Sequence, residues 1–236
     1  MKVQEKQLQD SKIPKGYKQT EVGVIPEDWV VRKIDDSFSI SGGFSASRDD
    51  LGSIGHFYLH YGGIHGSKQN YMSTLLHKNN IPKIDIELNK ISPNSFLEDG
   101  DIVFVDASED LDGTSKYIVI RNPENKIFIS GLHTIIAKHK NGIIHKLFRE
   151  YLFHSKKVKD QFRYFAVGTK VSGISKSTIK KITFPLPLTL AEQEKIAEVL
   201  SDMDAEIEKI EAKIEKYKYI KKGMMQKLLT GQLRLV

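Results

Sequence analysis

Between Leu190 and Leu229 the apolar residues Ile196, Val199, Met203, Ile207, Ile210, Ile214, Tyr217, Met224 and Leu228 recur at steps of three and four. There is one extra step of four near Met203, and Lys221 fills the single missing position. That spacing is the narrow seam of a helix that packs lengthwise on another helix, and nothing else in the sequence constrains the fold as strongly. Thr189-Leu190-Ala191-Glu192 reads as a capping box: the Thr189 hydroxyl can accept from the backbone of Glu192 while the Glu192 carboxylate reaches back. Glu192 with Lys195, Glu206 with Lys209 and Glu215 with Lys218 set opposite charges three residues apart on the flanking faces. Thr230-Gly231 ends the run with a residue suited to the left-handed cap. At about 1.5 Å per residue such a helix is roughly 60 Å long, twice the span of a small domain. A seam that long and narrow cannot be buried on one small domain, and the sequence holds no second long helix. The helix is therefore expected to project and to pair with a second chain; folding back along its own domain, or breaking at Gly223 into a hairpin, is the alternative.

Upstream the periodicity is different. Residues 1–15 show no apolar repeat and read as an arm, and Pro14, Gly16, Gly23 and Pro26 punctuate the entry to a strand near Trp29 to Ile34. From there to Leu188 short β-type runs alternate with turn residues: Phe57 to Tyr61, Ile102 to Val105, Tyr117 to Ile120, Ile127 to Ile129 and Leu132 to Ala137. Ile144 to Tyr164 reads as helical, and Pro185 and Pro187 close the segment. The sequence thus predicts an α/β domain over 16–188 followed by a helix and tail over 189–236. No apolar run approaches bilayer length, the start lacks the apolar stretch of a secretory signal, and there is no cysteine, so a soluble protein of a reducing, cytoplasmic setting is expected, without a membrane partner.

Charge is unevenly spread. Residues 37–112 carry 5 basic and 11 acidic side chains, whereas residues 113–189 carry 15 and 3, a net of +12. A stretch that basic is the footprint of a protein that neutralises phosphates, unless it pairs with the acidic half of its own domain. Between Phe148 and Lys170 the cations Lys156, Lys157, Lys159, Arg163 and Lys170 interleave with aromatic residues, and are candidates to track a phosphate backbone, as is Lys116; the aromatics themselves read as core. Arg48 and the run Lys68-Gln69-Asn70 offer the paired donors and acceptors that match purine edges.

Motifs that would mean catalysis fail on spacing. Gly168 and Gly173 bracket four residues as a phosphate loop would, but Ile174 and Ser175 stand where Lys and Ser or Thr are needed. A calcium loop starting at Ser108 would end on Val119 instead of a bidentate Glu. Asp85 and Glu87 suggest a nuclease until Asn89 is found two residues on, where a Lys should face the metal. Asn122-Pro123-Glu124-Asn125 is a turn, not a methyltransferase motif, and His56, His60 and His65 lack the companions of a metal site. No cofactor, metal or catalytic residue is expected.

Two stretches, GYKQTEVGVIPEDWVVRKI at 16–34 and FPLPLTLAEQEKIAEVLSDMDAEIEKIEAKIEKYKYIKKGMMQKLLTGQLRL at 184–235, resemble the specificity subunits of type I restriction-modification enzymes. GDIVFVDASED at 100–110 and ISGLHTIIAKH at 129–139 resemble strands of that family's target-recognition domain, and the resemblance is weakest over 35–95. It implies a non-catalytic subunit that binds double-stranded DNA and directs a DNA methyltransferase subunit and a restriction and translocation subunit to a bipartite site. Members of the family typically carry two recognition domains and two long helices paired antiparallel; this sequence resembles half of one, with 16–188 as the target-recognition domain and 189–236 as the dimerising helix. An antiparallel coiled-coil homodimer is the expectation, with pairing to another half subunit or a truncated, silent copy left open. A general coiled-coil nucleic-acid adaptor and a metal-dependent nuclease are the other functions weighed.

Overall fold

The computed structural model describes residues 13–108, 113–166, 168 and 172–235. Its contacts divide the chain into two compact units, Met1–Glu194 and Lys195–Val236. The first unit opens with β1 (Tyr17–Thr20), β2 (Gly23–Pro26), β3 (Val30–Lys33), the helical turn α1 (Ile34–Ser37), β4 (Phe38–Gly42) and β5 (Leu51–Gly52). There follow β6 (His56–Leu59), α2 (Tyr61–Gly66), β7 (Tyr71–Ser73), β8 (Lys83–Ile84), β9 (Ile102–Val105) and β10 (Ala107–Ser108). Then come β11 (Tyr117–Arg121), β12 (Phe128–Ser130), β13 (Thr134–His139), α3 (Lys156–Phe165), β14 (Ser172–Gly173), α4 (Lys176–Ile179) and β15 (Thr183–Leu186). The long helix α5 runs from Leu190 to Leu229, the span its seam predicts.

A five-stranded sheet in the order β4-β13-β9-β11-β7 forms the centre, antiparallel except for β7 on β11. Its middle strand, Ile102-Val103-Phe104-Val105, is fully buried, which is why it reads as an unbroken apolar run. Alternation sends Val103 and Val105 to one face, where they join Leu59, Ile64, Phe128 and Ile136 in the core shared with the second sheet, β12-β6-β8-β5. Phe104 is turned to the other face and packs on Tyr117, Phe153 and Phe162 at ring separations of 5.5, 5.3 and 5.7 Å. The domain closes where β3 pairs antiparallel with β15, Thr183 opposite Lys33 and Leu186 opposite Val30, so the strands near its two ends lie side by side.

The segment 144–164 is not one helix. It forms a 3-10 turn at Leu147–Glu150, an irregular turn, and then α3. Two buried side chains explain the break. The Tyr117 hydroxyl donates to the Glu150 carbonyl (2.9 Å) and accepts the Phe153 backbone N–H (3.3 Å), while the Glu150 carboxylate takes a bidentate pair from Arg121 (2.7 Å for each bond). Ser155 then caps α3 by accepting from Val158. Strand ends shift for similar local reasons: His60 caps α2 and stops β6 at Leu59, and His133, at φ +61°, turns the chain so that the strand expected from Leu132 begins at Thr134.

Gln193 shows why α5 begins where it does. Its side chain is buried, accepts from the His145 backbone (2.7 Å), and donates to the carbonyls of Ile143 (3.0 Å) and Pro187 (2.8 Å). The backbone of Glu192 donates to Thr189 Oγ1 (3.2 Å), as a capping residue requires. The Glu192 carboxylate does not complete the box; it accepts the indole N–H of Trp29 at 3.0 Å. Along α5, Glu206 with Lys209 and Glu215 with Lys218 pair at 3.4 and 2.7 Å, and Lys195 reaches Glu198 at 2.7 Å. Among the described residues no helix is long and apolar enough to cross a membrane.

Candidate nucleic-acid interface

On the first unit a cleft of about 870 Å³ lies between two walls. One wall is α2 and the loop that follows it. His60 Nδ1 accepts the N–H of Gly62 at 3.1 Å, and a β-carbon at Gly62 would sit 3.1 Å from that same nitrogen, a tight contact that glycine avoids. Ser67 folds the loop by donating to the Gln69 carbonyl (2.8 Å) and accepting its N–H (3.2 Å), and the Asn70 carbonyl takes the Val119 N–H (2.8 Å), pinning the loop to β11. The other wall is β10 with the 3-10 turn Gly113–Ser115 and Lys116. The ammonium of Lys116 donates to the His65 carbonyl, and His65 Nε2 lies 3.1 Å from the carbonyl of Ala107, so the walls are tied together twice. Tyr117 and His154 line the interior with rings 5.4 Å apart, Lys159 reaches in from α3, and His133 closes the end with Nδ1 3.1 Å from Asp106.

The described lining is chemically one-sided. It includes Lys68, Lys116 and Lys159, His65, His133 and His154, and the amides of Gln69 and Asn70, and none of the described residues that line it is a carboxylate. Such a surface attracts phosphate and offers both donors and acceptors to base edges. Tyr61 holds the histidines edge-on, with ring centroids 6.2 Å from His65 and 5.6 Å from His133. Burial lowers the pKa of His60 beside them, with help from the charges of Arg48 and His133.

Five of the residues proposed from sequence, Lys68, Gln69, Asn70, Lys116 and Lys159, come together in this cleft from three separate stretches of chain. Arg48 stands next door: its guanidinium is 3.5 Å from the hydroxyl of Tyr61, which itself lines the cleft. Lys156 and Arg163 lie on the outer side of α3 and share Asp160, at 3.0 and 2.9 Å; the hydrogen bond from Lys156 is the main reason the Asp160 pKa is lowered. Lys157 is on the opposite flank of α3, and Lys170 lies outside the described residues. The sequence pattern gave no sign of Tyr61, Ser115, His133 or His154.

Part of the basic segment serves the domain itself. Lys138 pairs with Glu98 (2.8 Å) and Asp101 (3.7 Å), Lys146 with Asp99, and Lys180 with Asp35 (3.2 Å). The +12 segment is therefore no uniform footprint. Of the aromatics in this segment Phe153 and Phe162 are core as expected, Tyr151 and Phe165 are half-buried, and Tyr164 is 84% exposed. Asp85 and Glu87 are exposed, and Glu87 pairs with Lys90 at 3.3 Å. The seam of α5 is solvent-facing: Val199, Met203, Ile207, Ile210, Ile214 and Tyr217 are each 48% to 59% exposed, Met224 is 39% exposed, and Ile196 and Leu228 are half-buried.

Residues 26–217 match the family model described as the type I restriction modification DNA specificity domain, and the chain belongs to that family. It is 30% identical over 217 residues to a putative type I restriction enzyme specificity subunit, MjaX, of Methanocaldococcus jannaschii, covering 91% of this chain and 48% of the relative. It is 42% identical over 92 residues to the MjaVIII specificity subunit of the same organism, covering 39% of this chain and 21% of the relative. The chain thus spans about half the length of the first relative and less of the second. Among solved structures it resembles the type I S subunit from M. genitalium (TM-score 0.52, 18% identity), covering 84% of this chain and 45% of that one. It also resembles a chain from a structure describing complex assembly and conformational transition of the type I R-M system (TM-score 0.58, 13% identity), covering 96% and 50%. At those identities the likeness is one of fold.

Proposed function

We propose that the chain is a non-catalytic specificity subunit that reads double-stranded DNA through the cleft and brings a methyltransferase subunit and a restriction and translocation subunit to the site. One observation carries the proposal: lysines, histidines and amides from four stretches of chain converge on one cleft whose described lining has no carboxylate. Gln69 and Asn70, on a loop fixed at both ends, are the base readers, since each can offer a donor and an acceptor to a purine edge. Lys68, Lys116 and Lys159 hold phosphate. Family membership supports this reading, and so does the exposed seam of α5, which two copies paired antiparallel would cover in a two-fold arrangement suited to a bipartite site.

Binding selection from a randomised duplex pool with the full chain is the test. One recurrent sequence is expected, and Gln69→Ala or Asn70→Ala should relax it at one position, at a cost of about 1–3 kcal/mol against the selected base. A pool that never enriches, with binding equal on all duplexes, would overturn the assignment.

A further inference from the structure

Helix α3 separates two basic surfaces, and only one of them is the cleft. Its buried stripe is Val158 and Phe162, so Lys159 falls on one flank and Lys157, Gln161 and Tyr164 on the other. Gln161 fixes that second flank. Its amide donates to the Thr183 carbonyl (2.8 Å) and accepts both the N–H (2.9 Å) and the hydroxyl (3.0 Å) of Thr183, docking α3 on β15. Lys157, one turn before Gln161, is thereby set beside Lys181, two residues before Thr183, and Lys33, the cross-strand partner of Thr183. With Tyr164 and Phe165 these lysines line a shallow depression of about 470 Å³. Of the two carboxylates that share it, Asp160 is held by Lys156 and Arg163, which leaves Glu21 against three exposed lysines. Lys33, Lys157 and Lys181 form no ion pair among the described residues, unlike Lys138, Lys146 and Lys180, whose charge is spent inside the domain. Tyr164 packs edge-on against Phe165 (5.2 Å), which leaves its hydroxyl in solvent.

We infer that the Lys33, Lys157, Tyr164 and Lys181 surface is a second DNA contact, blind to sequence, that holds the phosphates of duplex flanking the bases read in the cleft. The inference rests on the proposed function and adds the length of duplex engaged. Three mobile ammonium groups and a phenolic donor suit phosphate oxygens, which need charge and single hydrogen bonds. Of the Gln, Asn and Arg side chains that make paired contacts with bases, the described lining of this depression holds Gln161, whose amide is engaged by Thr183. The outer face of α3, with Lys156 and Arg163, joins the two surfaces into one basic track about a helix diameter wide, roughly 10–12 Å.

The test uses the full chain, a duplex trimmed to the selected site, and the same duplex extended by a helical turn on each side. Wild type should bind the extended duplex more tightly. The Lys33→Ala, Lys157→Ala, Lys181→Ala triple variant should lose that advantage and reduce the slope of log affinity against log salt by roughly 2–3, from about 0.9 per phosphate contact. It should weaken binding to selected and scrambled extended duplexes alike, so the discrimination ratio stays at the wild-type value. The Lys33→Arg, Lys157→Arg, Lys181→Arg triple variant should retain the slope, and Tyr164→Phe should lose a small part of the length advantage. A triple variant with the wild-type slope on the extended duplex, while a Lys68, Lys116 and Lys159 triple variant flattens it, would overturn this inference and leave the cleft assignment standing. A wild-type chain that binds no duplex would overturn both.

Discussion

Replacing Gln193 with Leu should destabilise the first unit more than any single change on its surface. The substitution keeps the volume of a fully buried side chain, so it leaves no space for a substituting water, but it removes three hydrogen bonds at once. The backbone N–H of His145 and the carbonyls of Ile143 and Pro187 then face an apolar side chain. An orphaned buried group costs about 1–3 kcal/mol, with the N–H toward the upper end and each carbonyl toward the lower, for a loss of about 4 kcal/mol. At roughly 2–4 °C per kcal/mol for a protein of this size, the melting temperature should fall by roughly 10 °C. Glu192→Ala is the control: it removes one bond, to Trp29, and should cost about 1 kcal/mol. Thermal and urea melts of the full chain decide the matter. A Leu variant that melts within about 2 °C of wild type would show that Gln193 does not anchor the start of α5.

Changing both Ile207 and Ile214 to Asp should leave a folded monomer by sedimentation, because a paired seam would bury unpaired charge; wild type already monomeric at micromolar concentration would rule out the homodimer. Arg121→Met leaves the buried Glu150 carboxylate without its bidentate partner and should cost about 3–5 kcal/mol in a urea melt, most of it regained when Glu150→Gln is added. Burial raises the pKa of Asp101 from 3.8 to about 6, so its contribution is complete below pH 4 and is lost as pH rises toward 6. At about 1.4 kcal/mol per unit that loss is on the order of 3 kcal/mol. His139, lowered to about 4 by burial and by Arg149, acts in the opposite sense, its contribution being lost as pH falls from 6.5 toward 4. Urea melts between pH 4 and 7 should therefore show Asp101→Asn gaining stability with rising pH relative to wild type, and His139→Gln doing the reverse.

The parts of the fold legible in the sequence are those where one periodicity acts alone. The seam of α5 gives Leu190–Leu229 because no tertiary partner competes for its apolar residues, and Ile102–Val105 is plain because a strand buried on both faces has no polar positions to break the run. Where a long-range hydrogen bond sets the geometry, the pattern misleads. Ile144 to Tyr164 has helical spacing throughout, yet the Tyr117 hydroxyl, more than thirty residues earlier in the chain, reaches in to both Glu150 and Phe153 and interrupts it. The Glu192 carboxylate belongs to a capping box by sequence and to Trp29 by structure, because an indole 163 residues away offers a donor that local reasoning cannot include. Charge counted by segment has the same weakness. It cannot tell Lys138, paired with Glu98, from Lys159, which lines the cleft.

The residues that identify the family and the residues that form the cleft are largely different, for a physical reason. The 16–34 stretch supplies β3 and Trp29, and the 184–194 stretch supplies most of β15, with Glu192 and Gln193; together they close the domain and fix the first turn of α5. Trp29 bonds to Glu192, and Gln193 bonds to backbone at 143, 145 and 187, none of which lines the cleft, so these contacts hold whatever the cleft contains. The cleft takes its walls from 61–70 and 107–117, and within 61–70 the backbone at 67–70 is set by the Ser67 turn and the tie from Asn70 to Val119, while the His60 cap and the Lys116 bond to the His65 carbonyl hold 60–66. Side chains at Lys68 and Gln69 can therefore change without disturbing the closure. This separation predicts that Gln69→Lys or Asn70→Arg will fold with a melting temperature within roughly 2 °C of wild type, as exposed or half-buried loop substitutions do, while selecting a different base at one position of the site. A variant that loses both its fold and its DNA binding would show instead that the 67–70 loop is part of the closure, and the division between frame and reader would fail.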